Sequence, residues 1–171
     1  MIVLGIDQSI NSTGWAIVED GIFKTGGTVA PVKMEGIFRL LFIEKQLENI
    51  INTYNIKHIV REGYSFGSKG KGSFYAGEIG AILDRLVYKL TNTAPLIIPP
   101  SNLKQYLTGK GNTKKDLILM EVYKRYNLSF KTSDEADSFG LALMGYYYYS
   151  NTRPELKFQI DVLDKLFKKV A

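Results

Sequence analysis

The stretch "MIVLGIDQSINSTGWAIVEDGIFKTGGTVA", Met1 to Ala30, decides the fold. "MIVLGID" is a short apolar run ending in an acid, the pattern of a strand buried on both faces. "TGWAIVED" and "IFKTGGTVA" flank Asp20-Gly21, a dipeptide suited to a two-residue hairpin turn. The three segments read as three antiparallel strands. From Glu35 to Tyr54 the period becomes helical, with Leu40, Leu47, Ile50, Ile51 and Tyr54 on one stripe and Lys45, Glu48 and Asn52 off it. "IKHIVRE" reads as another buried strand, Ser73 to Leu90 as a second helix, and "APLIIPP" as a short strand stopped by two prolines. Helices are expected from about Thr113 to Tyr126 and from Asp134 to Tyr149. Arg153-Pro154 breaks the chain, and Leu156, Ile160, Leu163, Phe167 and Val170 then share the stripe of an amphipathic helix. The order β-β-β-α-β-α-β-α-α implies an α/β fold: a mixed five-stranded sheet, three antiparallel strands followed by parallel βαβ units, flanked by helices. The expected organisation is one domain over residues 1–152 and a C-terminal helical extension over 153–171, with no internal repeat.

The chain has 171 residues, enough for one domain with a full core. Hydrophobic residues make up 45% and charged residues 23%, which excludes a disordered chain. No run reaches the ~18 apolar residues of a membrane span. The start "MIVLGIDQS" lacks the basic region and cleavage site of a signal peptide, and there is no cysteine for a disulfide or thiolate metal site. A cytoplasmic protein without membrane association is expected. Lys and Arg number 22 against 17 Asp and Glu. The excess suits a polyanionic partner. Lys69 and Lys71 sit in "GSKGKGS", and Lys110, Lys114 and Lys115 in "GKGNTKK"; glycine-rich basic loops let the backbone approach phosphates. Taken singly, each loop also fits ordinary solvated surface.

The segment "SDEADSFGLALMGYYYY", Ser133 to Tyr149, poses the chemical question. Asp134 and Asp137 are three residues apart, on the helical face that continues through Leu141 and Met144. Acids favour the first turn of a helix, and Thr132 with Glu135 fits a capping box. That accounts for Glu135 and not for Asp137, because a buried carboxylate needs a partner or a metal. Asp7 ends the first strand and Glu62 the strand after the first helix. Sites in open α/β sheets form at the carboxyl ends of strands. Four carboxylates in one cleft repel unless cations neutralise them. All-oxygen ligation suits Mg²⁺ or Mn²⁺. Two such ions ~3.5–4 Å apart serve phosphodiester hydrolysis.

Five segments, in order, resemble the RuvC-type Holliday junction resolvases. "GIDQSINSTGWAIV" is similar to that family's first strand and return, "VREGYSF" to the segment with its second acid, and "GSFYAGEIGAILDRLVY" to its central helix. "PPSNLKQYLTGKGNTKKDLI" resembles its lysine-bearing segment and "SDEADSFGLALM" its paired-aspartate helix. The resemblance implies a ribonuclease H-like fold and a homodimer that nicks two strands of a four-way DNA junction. It implies that Asp7, Glu62, Asp134 and Asp137 bind a pair of Mg²⁺ or Mn²⁺ ions, with Lys115 near the scissile phosphate and Lys104 on the DNA backbone. Tyr64 and Phe66 are both candidates for the aromatic at the junction centre. "DQS" stands where many members have a proline and a glycine, a variation resembling the viral branch, for which the location would be the host cytoplasm. Gly77, Gly80 and Ala81 on the second helix either lighten a core contact or let two copies of the helix approach across a two-fold axis.

Other readings are narrower. The hairpin also resembles the phosphate-binding turn of actin-like and sugar-kinase ATPases, which need two such domains. No Walker or GxGxxG motif is present, so no nucleotide cofactor is expected. A non-catalytic junction binder would lack a carboxylate, and all four are here. A nuclease for flaps, forks or RNA hybrids shares the chemistry and differs only in groove shape. His58 reads as a packed or edge residue, and the "YYYY" run chiefly as core.

Overall fold

The computed structural model describes residues 1–64 and 71–167. Strands β1 (Ile2–Asp7), β2 (Thr13–Glu19) and β3 (Ile22–Val29) form the antiparallel meander, with β4 (His58–Glu62) and β5 (Leu96–Ile98) parallel to β1. The sheet order is β3-β2-β1-β4-β5. Asp20 (φ 51°) and Gly21 (φ 82°) make the β2–β3 turn, both at the positive φ that the hairpin's twist demands. The helices are α1 (Gly36–Thr53), α2 (Lys71–Thr91), α3 (Pro100–Thr108), α4 (Lys115–Tyr126), α5 (Ser133–Ser150) and α6 (Lys157–Phe167). This is the mixed five-stranded, ribonuclease H-like α/β architecture expected above. None of the described helices is long and apolar enough to cross a membrane.

Strand alternation splits the core in two. Leu4, Ile6, Ile17 and Ile59 face α1 and α2, where Leu40, Ile43, Leu47, Ile79, Leu83 and Leu86 are buried. Val3, Ala16, Val18, Val60 and Ile98 face α5, with α3, α4 and α6 completing that layer. Burial on both faces explains why β1 reads as a continuous apolar run.

The sequence reading missed α3. It took Pro99-Pro100 as a stop, but Pro100 occupies the first helical position, where a missing N–H costs nothing and the fixed φ helps. Leu103, Tyr106 and Leu107 then bury one face, and Gly109 (φ 80°) ends the helix in the left-handed conformation. The α6 stripe is also rotated from expectation. Gln159, Val162 and Leu163 are buried, while Leu156 is 41% exposed. A glutamine can face inward here because its Nε2 donates to the Tyr106 carbonyl (3.1 Å) and the Tyr126 hydroxyl (2.8 Å).

Candidate active site

Three separate elements deliver four carboxylates to one end of the sheet. Ile6 lies opposite Arg61 in the parallel β1–β4 register, so the next residues, Asp7 and Glu62, emerge side by side. Both belong to the strand alternation that faces α5. Thr132 caps α5 by accepting from the Glu135 N–H (3.2 Å), and the Glu135 carboxylate accepts from the Lys131 N–H (2.9 Å). The cap fixes where α5 begins, and therefore how Asp134 and Asp137 meet the strand ends.

Two glycines bring α5 close enough. A Cβ on Gly5 would collide with the Ser138 carbonyl and the Ala142 nitrogen, and one on Gly14 with the Asp134 carbonyl. The helix backbone thus lies directly on β1 and β2, a contact only glycine permits. Sequence reading passed over both residues; their signal was a glycine inside each of two strands that otherwise read as well packed. Gly5→Ala is expected to destabilise the fold by about 1–3 kcal/mol or more by forcing α5 outward, as denaturant unfolding would measure.

The electrostatics are those of acids held together in a poorly solvated cleft. Burial raises Asp7 well above the usual carboxylate range, and Glu62, Asp137 and Asp134 push it further. A side-chain hydrogen bond between Asp7 and Glu62 raises Asp7 further and lowers Glu62. Glu62 is itself raised by burial, partly offset by that bond and by Lys104 and Lys115. Asp137 is 8% exposed and raised to about 7, by burial first and then by Glu62 and Asp134, against the lysines. Its Oδ1 is buried without a hydrogen-bond partner. Among the described residues no three acidic or histidine side chains are already gathered as ligands around one point. Even so, the donor set is all oxygen, mutually repelling and in one case unpaired, which fits a hard divalent cation.

Lysines rim the acids. The Lys115 Nζ is 3.4 Å from Asp134 Oδ1, at the start of α4, and its side chain is largely exposed. The Ser133 hydroxyl donates to the same oxygen (3.3 Å). Lys104 on α3 is near enough to lower both Glu62 and Asp137. Lys110 and Lys114 are exposed in the α3–α4 loop. That loop is latched: Thr108 donates to the Lys104 carbonyl (2.8 Å) and accepts from the Thr113 hydroxyl (2.8 Å), whose oxygen also lies 2.9 Å from the Lys110 carbonyl. Thr113 is buried, and the sequence reading, which saw only glycines and lysines there, missed it.

The remaining candidates divide. Tyr64 is 42% exposed just past β4. Phe66 and Lys69 lie outside the described residues, as does the side chain of Lys71. Gly77 and Ala81 lie on the outward side of α2, and a Cβ at Gly77 would meet nothing within 4 Å. Gly80 differs: it is buried under the Tyr64 hydroxyl of its own chain, which a Cβ would strike. Its small size makes room for Tyr64, so the structure removes it from the open contact face. His58 packs its ring 4.3 Å from that of Tyr149, away from the acids.

No family model matches the chain. Curated relatives do. The crossover junction endodeoxyribonuclease RuvC of Ehrlichia canis is 29% identical over 161 residues, spanning 88% of this chain and 99% of the relative. The RuvC of Rickettsia felis is 30% identical over 154 residues, spanning 83% of this chain and 95% of the relative. Among solved structures, Thermus thermophilus RuvC in complex with a Holliday junction substrate superposes with a TM-score of 0.74 at 20% identity, over 89% of this chain and 97% of that one. Chain order, sheet topology and near full-length similarity agree: the chain belongs to the RuvC family of crossover junction endodeoxyribonucleases.

Proposed function

We propose that this chain is a structure-selective endonuclease that nicks four-way DNA junctions as a homodimer, with Mg²⁺ or Mn²⁺ held by Asp7, Glu62, Asp134 and Asp137. The observation that carries the chemistry is the convergence of these acids from β1, β4 and α5, with a buried Asp137 oxygen lacking any protein partner. When bound, a pair of such ions supplies positive charge for the attacking and leaving oxygens of a phosphodiester. The chain's own residues do the rest. Lys115, beside Asp134, meets charge developing on the scissile phosphate. Lys104 tempers the acids and faces the phosphate backbone. Lys110 and Lys114, on the latched loop, grip phosphates further along. Lys69 and Lys71 belong to the same basic group, and Tyr64 or Phe66 meets bases at the junction centre.

The dimer face of this reading runs along α1 and α2. The α1 and α2 helices run parallel, tied by Arg85–Glu44 (2.7 Å) and Lys89–Glu48 (3.0 Å). Nearer the starts of the same helices, Ile37, Phe38 and Leu41 of α1 and Phe74 of α2 are exposed, on the stretch of α2 that also carries Gly77 and Ala81. An apolar patch rimmed by charge pairs is the anatomy of a protein interface.

The test is cleavage by the pure protein of a four-way junction, a Y-fork and a linear duplex of the same arms. Paired nicks in the junction alone, dependent on divalent metal, are expected; equal cutting of the fork would favour a general branched-DNA nuclease. Lys110→Ala and Lys114→Ala are each expected to weaken junction binding and reduce the salt slope by about one unit. Lys115→Ala is expected to lower the single-turnover rate more than the affinity. Salt titrations of binding alongside rates check both.

A further inference from the structure

A buried cation lies on the face of β4 opposite the acids. Arg61 is 1% exposed in the layer facing α2. Each of its three guanidinium nitrogens has a partner. Nε donates to Asp84 Oδ1 (2.6 Å), Nη2 to Asp84 Oδ2 (2.7 Å), and Nη1 to the backbone carbonyl of Glu62 (3.0 Å). The same group lies 5.3 Å from the centre of the Tyr64 ring, whose hydroxyl reaches Gly80, one turn before Asp84 on α2. One side chain therefore touches the strand end bearing Glu62, the aromatic two residues beyond it, and the helix that carries Gly77 and Ala81.

A desolvated guanidinium is poor value as a stabiliser, because packed apolar residues of similar volume often do as well. What it adds is direction. The planar fork fixes Asp84 in two bonds, leaves a donor for one particular carbonyl, and offers a flat cationic face to one ring. We propose that Arg61 and Asp84 are positioning residues that set the Glu62 end of β4 and the Tyr64 ring against α2, resting on the nuclease reading above for the reaction they serve. Neither touches DNA phosphate or metal; they act through Glu62 and Tyr64.

Arg61→Lys keeps the charge and loses the fork. Asp84→Asn, on the half-exposed partner, keeps the shape and loses the ion pair. Junctions with 2-aminopurine at the crossover report unstacking in metal-free buffer, and single-turnover cleavage reports the chemistry. Both variants are expected to lower the cleavage rate by about 10- to 100-fold, the scale of a misplaced reacting group. Junction affinity is expected to stay within about twofold, since no phosphate contact is lost. Both should also reduce the 2-aminopurine signal as Tyr64→Ala does, and combining Arg61→Lys with Tyr64→Ala should cost less than the sum of the two. Generic loosening of the fold predicts additive losses and an unchanged fluorescence signal. Rates within about twofold of wild type in either variant, or full additivity with Tyr64→Ala, overturn the proposal. Wild-type protein that binds the junction and fails to cut it sinks the nuclease reading instead, and the fluorescence comparison then judges the bracket by itself.

Discussion

Exchange of Asp137 for asparagine is expected to abolish junction cleavage, by about 10³-fold or more, while junction binding is retained or strengthened. Asparagine keeps the shape and removes the charge whose buried oxygen has no protein partner. The same change should stabilise the metal-free protein at alkaline pH, and the sign follows from the proton balance. The folded-state Asp137 takes up its proton near pH 7, whereas an unfolded aspartate does so near ~4. Between those values the folded state holds the extra proton, so this group makes the wild type more stable as pH falls through 7, levelling off below about 4. Asp7, also raised, adds in the same direction. Above pH 7 the charged, crowded acids cost on the order of a few kcal/mol. Thermal unfolding without metal should therefore give a higher Tm at pH 5.5 than at pH 8, and Asp137→Asn should flatten the difference. Adding Mg²⁺ should raise the wild-type Tm most at pH 8, where the carboxylates are ionised, and raise the variant less. Normal cutting by Asp137→Asn in Mg²⁺ would remove this residue from the metal site.

The elements that sequence made legible are those governed by local pattern. β1 is a continuous apolar run because both its faces are covered. The β2–β3 turn is announced by Asp20-Gly21, and the α5 cap by Thr132 with Glu135. Four acids could be singled out because each ends a strand or opens a helix. What stayed hidden depends on pairs of distant residues. Gly5 and Gly14 matter for the backbone that lies over them, and nothing adjacent to either says so. Gly80 reads equally as a core contact or a two-fold contact, and only Tyr64, which covers it, decides between them. Arg61 did leave a trace. A charge inside a run read as buried demands a partner, and Asp84, 23 residues later, shows no local sign of being it. Ile37, Phe38 and Leu41 stayed hidden for the opposite reason: the apolar stripe of α1 marks its buried side and says nothing of the face left outside.

Those outward residues lead to the second large effect, the loss of paired cutting in a monomer. A four-way junction presents two equivalent strands, and each chain offers one group of acids, so symmetric resolution needs two chains. Glu62 is joined to the start of α2 by a short connection, so a contact through α1 and α2 would also fix the distance between the two sites. Leu41→Glu places a carboxylate in the middle of the apolar patch, where a partner would have to desolvate it. Gly77→Leu tests the same face by bulk. A Cβ at Gly77 meets nothing within 4 Å in the protomer, so the monomer should tolerate leucine and only a neighbouring chain would clash. Gly80 is unsuitable for this purpose, because any side chain there strikes Tyr64 first. Both variants are expected to keep the wild-type fold by circular dichroism and to sediment as monomers at concentrations where wild type is dimeric, a weakening of about 10²-fold or more. On a cruciform plasmid, wild type should give linear product from two coordinated nicks, and the variants only slow, uncoupled nicking to open circles. Variants that remain dimeric would move the interface elsewhere on the molecule. Wild type that is monomeric both free and on the junction, yet still resolves it, would refute the two-fold reading, because one group of acids would then have to reach both strands in turn.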